Sequence, residues 1–255
     1  MSIDLTYSHH ALSAELTIDQ LLADAVLDPH QNITFQVFDI LRNLIVSARL
    51  RPGQRLSEKE IAAALCASKT PVREAMIRLD EVNLVRIVPQ SGTYVTKISV
   101  RRYRTACFIR LQLELGAVRS AALAPDPHQS IAILDDILSQ TAKAITEEDP
   151  TTFYACDDAF HRQLFVMAGF DDAWMTARRT QFDVNRVRHI RRMQHIVSGP
   201  AQLAEHQAII EAIRAKDGLS AENALRAHIG DLDRQISDLV RDDKMRGFIA
   251  LEDAI

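Results

Sequence analysis

A mainly α fold in two domains is the architecture this sequence predicts: an N-terminal helical unit closed by a small β-hairpin, then an all-α antiparallel bundle. Three observations predict it. The chain has 255 residues, which at roughly 150 residues per domain is enough for two separate cores. It carries only eight Gly and eight Pro, too few for a loop-rich all-β fold. Apolar residues recur at helical spacing through most of the chain beyond residue 33, and β-type runs occur in one short stretch.

Composition sets the class. With 47% hydrophobic and 25% charged residues the chain reads as a soluble globular protein. No apolar run approaches the roughly 18 residues that span a bilayer, and no basic segment followed by an apolar stretch opens the sequence. Three widely spaced cysteines, Cys66, Cys107 and Cys156, fit reduced thiols in a cytoplasm. The net charge of −4 argues against a nucleic-acid partner until it is divided by segment. Residues 1–30 have five acids and no Lys or Arg, residues 31–105 carry +7, and residues 106–255 carry −6. A basic segment fused to an acidic one is the electrostatic footprint of nucleic-acid binding on one domain.

The elements follow in order. Residues 1–32 form an extension with a helical stretch near 17–27 (Ile18, Leu21, Leu22, Val26). Val37, Ile40, Leu41, Leu44 and Ile45 predict an amphipathic helix over 33–48, broken at Arg51-Pro52-Gly53. Ser57-Glu58-Lys59-Glu60 is a capping box that starts a short helix through Ile61, Ala62 and Leu65. After a turn at Cys66-Ala67-Ser68, Thr70 supplies an N-cap and Pro71 a first helical position. The third helix turns Val72, Ala75, Met76 and Leu79 inward and ends near Asn83, a residue that tolerates the left-handed conformation. Leu84–Val88 and Thr93–Thr96 flank Pro89-Gln90-Ser91-Gly92 as a hairpin.

Three helices with a tight turn between the last two, followed by a hairpin, make a winged helix-turn-helix over residues 33–98. The first turn of its last helix faces base edges, and Lys69, Thr70 and Arg73 occupy it. Arg73 has the fork that pairs with guanine O6 and N7. Lys59, Arg78 and the wing around Gly92 fall near phosphates. A solvated helix face would also carry Arg73 and Arg78, but not the register of helix, turn, Pro-started helix and wing.

Pro52-Gly53-Gln54-Arg55-Leu56-Ser57-Glu58-Lys59-Glu60-Ile61-Ala62, Ser68-Lys69-Thr70-Pro71-Val72-Arg73-Glu74-Ala75 and Ser91-Gly92-Thr93-Tyr94-Val95 resemble the DNA-binding domain of GntR-family transcriptional regulators. The resemblance implies that Lys59, Lys69 and Arg73 stand where the family places basic DNA contacts, with Gly92 at the wing tip. Two positions depart from it. Lys59 and Lys69 replace more usual arginines and act as point charges, and Cys66 stands where a turn glycine is usual, which strains the turn if φ is positive there.

Beyond Arg101 helical period dominates. Helices are expected near 100–123, 128–146, 150–168, 171–193, 200–216 and 219–241, with breaks at Pro125-Asp126-Pro127, Glu147–Pro150, Gly169, Ser198-Gly199-Pro200 and Asp217-Gly218. Short connections between them suggest an antiparallel bundle over 99–242, followed by a tail over 243–255. Asp157 and His161 lie four apart on one helix and reach one point. His206 and His228 sit on two later helices among apolar neighbours. A carboxylate and neutral imidazoles suit zinc, nickel, manganese or iron, although each histidine taken alone also fits an ordinary hydrogen-bonded residue.

Arg110-Leu111-Gln112-Leu113-Glu114, Asp157-Asp158-Ala159-Phe160-His161, Glu205-His206-Gln207-Ala208-Ile209 and Ala224-Leu225-Arg226-Ala227-His228 resemble the FCD effector domain of the FadR subgroup. That resemblance implies a divalent metal, zinc foremost, on Asp157, His161, His206 and His228, with a small organic acid beside it. Asp158 points about 100° away from Asp157 and is the weaker ligand. Arg110 matches an arginine whose fork holds the acid's carboxylate, and its spacing to Glu114 equally fits a salt bridge. Asn185 is a further polar pocket residue. The basic run Arg186, Arg188, Arg191 and Arg192 reads as a solvated face with surface histidines His189 and His195, Trp174 and Met167 read as core, and His9, His10 and His30 lie in the extension.

The function expected is that of a transcription regulator, a repressor with no catalytic residue. It binds palindromic double-stranded operator DNA as a homodimer and answers to a small carboxylate effector in a metal-containing helical domain. Two readings compete with it. The Asp/His/His/His set would serve a metal-dependent hydrolase, and a DNA-binding protein independent of any ligand would need the histidines only as core.

Overall fold

The structure is a computed structural model that describes residues 16–125, 127–193, 199–230, 232–243 and 245–250. Asp4, His9, His10, Glu15, Asp126, His195 and Ser198 lie outside these, as does the side chain of Arg192. The chain divides into two compact units, residues 1–45 with 49–96 and residues 46–48 with 97–255.

In the first unit, α1 (Ile18–Leu22) starts at a reciprocal capping box. Gln20 N–H donates to Thr17 Oγ1 at 3.3 Å, and Thr17 N–H donates to Gln20 Oε1 at 2.9 Å. Leu21 and Leu22 are buried and α1 packs on α3. The helix is shorter than the 17–27 stretch the sequence suggests because the following chain is held otherwise. The Gln36 side chain takes both backbone groups of Asp28, at 2.8 and 2.9 Å. In α2 (Ile33–Val46), Val37, Leu41, Leu44 and Ile45 form the buried stripe. Strand β1 (Arg55–Leu56) leads to α3 (Glu58–Ala64), whose N-cap Ser57 accepts from Glu60 N–H at 3.3 Å.

Helix α4 (Lys69–Glu81) begins two residues earlier than expected, with Ser68 and not Thr70 at the N-cap. Pro71 then falls at the third helical position, where the missing N–H would have had no intrahelical partner. Val72, Ala75, Met76 and Leu79 face inward, and Asn83 ends the segment at φ 58°. Strands β2 (Val85–Val88) and β3 (Gly92–Val95) make the hairpin. The antiparallel sheet has the order β1-β3-β2, with Arg55 opposite Tyr94 and Val88 opposite Gly92.

In the second unit, β4 (Ile98–Ser99) leads into α5 (Val100–Ala122), with Ser99 as its N-cap, then α6 (His128–Thr146) and α7 (Pro150–Met167). The single helix expected over 171–193 is two, α8 (Asp171–Thr180) and α9 (Phe182–Met193), parted at Gln181. After α10 (Gly199–Arg214), the helix expected over 219–241 is also two, α11 (Gly218–Ile229) and α12 (Leu232–Arg241). Gly230, at φ 81°, takes the left-handed turn that stops α11.

Leu115, Val118, Leu134, Leu138, Phe160, Leu164, Ile209, Ile213 and Leu225 form the main core among α5, α6, α7, α10 and α11. Trp174 packs with Ala117 and Phe165, and Met167 packs partly buried against the main core. A second core gathers Tyr103, Cys107, Val184, Val187, Ile190 and Leu239 with Ala48 and Ile98. Residues beyond 242 complete it. Met245 and Ile249 are buried there, and β5 (Ile249–Ala250) pairs in parallel with β4. Among the described residues no helix is long and apolar enough to cross a membrane.

Candidate metal centre and nucleic-acid interface

Four side chains from three helices meet at one point of the second unit. Asp157 and His161 stand one turn apart on α7, His206 is on α10 and His228 on α11. One ligand atom from each lies within 4.8 Å of all the others. His228 Nε2 is 3.2 Å from both His206 Nε2 and His161 Nε2, and Asp157 Oδ1 is 3.6 Å from the Nε2 atoms of His161 and His206. Bonds of about 2.1 Å to a shared cation put neighbouring donors about 3.0–3.4 Å apart. The donor set therefore fits a divalent metal in spacing and in chemistry, with imidazole nitrogens and one carboxylate turned inward.

The surroundings fix which atoms point in. Glu114 of α5 is fully buried; its Oε2 lies 2.7 Å from His161 Nδ1, and its Oε1 accepts from Arg110 Nε at 2.7 Å. Glu205 Oε2 is 2.9 Å from His228 Nδ1. A carboxylate at Nδ1 draws the ring proton to that side and leaves the Nε2 lone pair for the centre. The His206 ring stacks on Phe160 at 3.8 Å between centroids, 11° from parallel. Arg188 Nη1 and the Gln202 amide each hold one oxygen of Asp157, Arg188 at 2.9 Å on Oδ2 and Gln202 on Oδ1.

Charge is tuned to match. Burial opposes ionisation of Asp157, but Arg188 and then His161 outweigh it and hold the carboxyl well below the usual range. Burial likewise opposes Glu114, and Arg110 with His161 bring it to about 2. Burial, reinforced by His161, lowers His206 to about 3 and His228 to about 2. His161 differs: burial opposes its protonation, but Glu114 and Asp157 outweigh burial and shift it upward. Neutral imidazoles and an ionised aspartate are the forms that bind metal, so His206, His228 and Asp157 are already in theirs, and binding at His161 releases any proton on Nε2.

The acid-binding residues expected from the sequence divide. Arg110 faces the centre, where its Nη2 donates to His161 Nε2 at 2.8 Å while its Nε pairs with Glu114, so the spacing to Glu114 does close a salt bridge. Asn185 is half-buried on α9, one turn before Arg188. Asp158 pairs outward with Arg178 at 3.1 Å.

The basic run on α9 is not the solvated face expected of it. Arg186 is buried against Asp183, which also takes Arg102, and Arg188 is bound to Asp157. Arg188, Gln202 and Glu205 escaped the sequence reading. Gln202 had a signal, since it lies four residues before His206 on the same helical face. Arg188 had none, because a cluster of arginines reads alike whether it meets water or a carboxylate.

In the first unit Lys59, Lys69, Thr70, Arg73 and Arg78 are all exposed. Arg73 Nε donates to Glu58 Oε1 at 3.2 Å, tying the first turn of α4 to α3. Arg78 lies about 140° around the helix from Arg73 and stacks over Phe35 at 4.6 Å. Gly92 opens β3 at φ 134°, and a Cβ there would meet Arg55 Nε at 2.9 Å. Arg55, another residue the sequence reading left out, thus lies close against the wing glycine.

The two units match known protein families. Residues 33–95 match the family described as bacterial regulatory proteins, gntR family, and residues 106–231 match the FCD domain. The HTH-type transcriptional repressor RspR of Escherichia coli K12 is 35% identical over 221 residues, covering 87% of this chain and 94% of its own. The HTH-type transcriptional regulator McbR of the same strain is 29% identical over 194 residues, covering 74% and 85%. Among solved structures, a GntR-type chain from Rhodococcus sp. RHA1 aligns with a TM-score of 0.64 at 27% identity, over 81% of this chain and 98% of that one. Escherichia coli McbR aligns at 0.66 and 24% identity, over 83% and 98%, a likeness of fold. The chain belongs to the GntR family of bacterial transcriptional regulators and carries an FCD domain in its second unit.

Proposed function

We propose that this regulator is a metal-dependent, acid-responsive repressor whose second unit holds a divalent metal on Asp157, His161, His206 and His228. The convergence of those four ligand atoms carries the reading. Three neutral imidazoles and a carboxylate favour zinc first, with nickel, manganese or iron as further occupants. The metal supplies a Lewis-acidic point for the oxygens of a small carboxylate. Arg110 gives that carboxylate a guanidinium fork and Asn185 a polar wall.

In the first unit Lys69, Thr70 and Arg73 offer the exposed first turn of α4 to base edges, while Lys59, Arg78 and the wing at Gly92 serve phosphates. One winged helix covers little DNA, so a homodimer on a palindromic operator fits the reading, in a cytoplasmic protein. The acid shifts the population of bundle arrangements, and with it operator affinity. The name of RspR records repression for that relative, which supports the same sign here.

The test joins both sites. The His206→Ala, His228→Ala double variant loses stoichiometric zinc by elemental analysis while still binding DNA, and full metal retention overturns the centre. Arg73→Ala loses specific operator binding in gel shifts, by about 1–3 kcal/mol, with the fold intact by circular dichroism. Unchanged sequence preference overturns the recognition turn.

A further inference from the structure

Arg110 and a metal ion require the same atom. An arginine only donates hydrogen bonds, so in the 2.8 Å contact between Arg110 Nη2 and His161 Nε2 the imidazole must be the acceptor. The ring proton then sits on Nδ1, 2.7 Å from Glu114 Oε2. Imidazole Nε2 has a single lone pair, in the ring plane. A guanidinium N–H and a metal cannot both take it. Asp157 is under no such conflict, because its two oxygens have lone pairs enough for Arg188, Gln202 and a cation together.

The two contacts of the fork have different partners. Arg110 Nε donates to Glu114 Oε1 at 2.7 Å, and because the guanidinium is planar it must swing as one body, pivoting at Glu114, to take Nη2 off His161. Glu114 thus anchors both competitors, His161 through one oxygen and Arg110 through the other. Charge points the same way. The charged groups on the centre are three carboxylates, Glu114, Asp157 and Glu205, and two guanidiniums, Arg110 and the half-buried Arg188, one negative charge in sum. A dication added to that set leaves it one charge positive, in a site whose burial makes unpaired charge costly.

Resting on the metal centre of the preceding subsection, we propose that Arg110 is an internal competitor of the metal, which displaces Nη2 from His161 and frees it for a carboxylate. The order of events is then built in, metal first and acid second. An organic acid meets a free guanidinium arm and a positive centre only in the metal-loaded protein.

The sign of one substitution tests this. Arg110→Lys keeps the charge beside Glu114, but a single ammonium lacks the fork that spans Glu114 and His161. Cobalt(II) titrated into the chelator-stripped full chain and followed by its visible absorption binds Arg110→Lys about tenfold more tightly than wild type, the effect of removing one charge-assisted hydrogen bond from the competition. Acetate added to the cobalt-loaded proteins perturbs that absorption at lower concentration in wild type than in the variant. If Arg110 merely braces the centre through Glu114, cobalt affinity falls instead, and a fall or no change overturns the proposal. A wild type that binds no cobalt overturns the metal centre as well, which separates the two failures.

Wild type gives an independent reading that needs no variant. By NMR, an arginine Nη–H signal protected from solvent exchange before zinc loses its protection when one equivalent is added. Protection that survives zinc overturns the proposal.

Discussion

Cys66 holds a left-handed backbone at φ 50° in the turn between α3 and α4, where an L side chain costs about 1–2 kcal/mol against glycine. The residue is exposed, so its side chain buries little surface to offset that cost. Cys66→Gly is therefore expected to stabilise the first unit by about 1 kcal/mol in urea unfolding, and a loss of stability would show that the thiol makes a contact worth more than the strain. The strain was foreseeable from the position of Cys66 after a predicted helix, as was the left-handed Asn83. The metal ligands were less legible. Spacing joins Asp157 to His161, but nothing in the linear order brings His206 and His228 to the same point; that needed the family resemblance or the fold. Arg188 lies at the far end of this scale, since only packing tells a buried arginine from a wet one.

Among the elements, the cap at Ser57 that starts α3 was readable. Asp217 was read only as part of a break, yet it caps α11, accepting from Leu219 and Ser220 N–H at 3.1 and 3.0 Å, and Gly230, which stops α11, was read through as helix. Breaks made by tertiary packing were not readable. Gln181 is no helix breaker by propensity, yet it separates α8 from α9, and the amphipathic period runs on across it. The short β4–β5 pair was invisible for the same reason: two residues give no period to detect. What those last residues contribute is measurable. Met245 is fully buried in the second core, so Met245→Ala should cost the second unit about 2–5 kcal/mol in chemical denaturation. A cost near zero would mean that the segment does not hold this core in solution.

At the scale of the whole molecule, the division of charge seen in the sequence does not follow the two units. Lys97, Arg101, Arg102 and Arg104 of the basic segment fall in the second unit and the acidic residues 1–30 in the first, so the positive face of the first unit is local, made by the exposed Lys59, Lys69, Arg73 and Arg78 of α3 and α4. Because a ligand stabilises only the state that binds it, zinc at 100 times its dissociation constant should add about 2.7 kcal/mol to the unit that contains the centre. Scanning calorimetry of the full chain is expected to show one transition rising with zinc, falling back with chelator, and a second that does not move. A uniform rise of both would show that the two units unfold as one.

The short segment Val46–Ala48 closes α2 yet belongs with the second unit, where Ala48 joins Tyr103, Val184 and Ile249. The backbone accordingly passes between the units three times, at residues 45–46, 48–49 and 96–97. A hybrid regulator made by fusing a foreign reading head at residue 97 would bring a foreign tripeptide into this core. Grafting succeeds only if Val46, Ser47 and Ala48 travel with the recipient body, so the exchangeable cassette here is two pieces of sequence and not one.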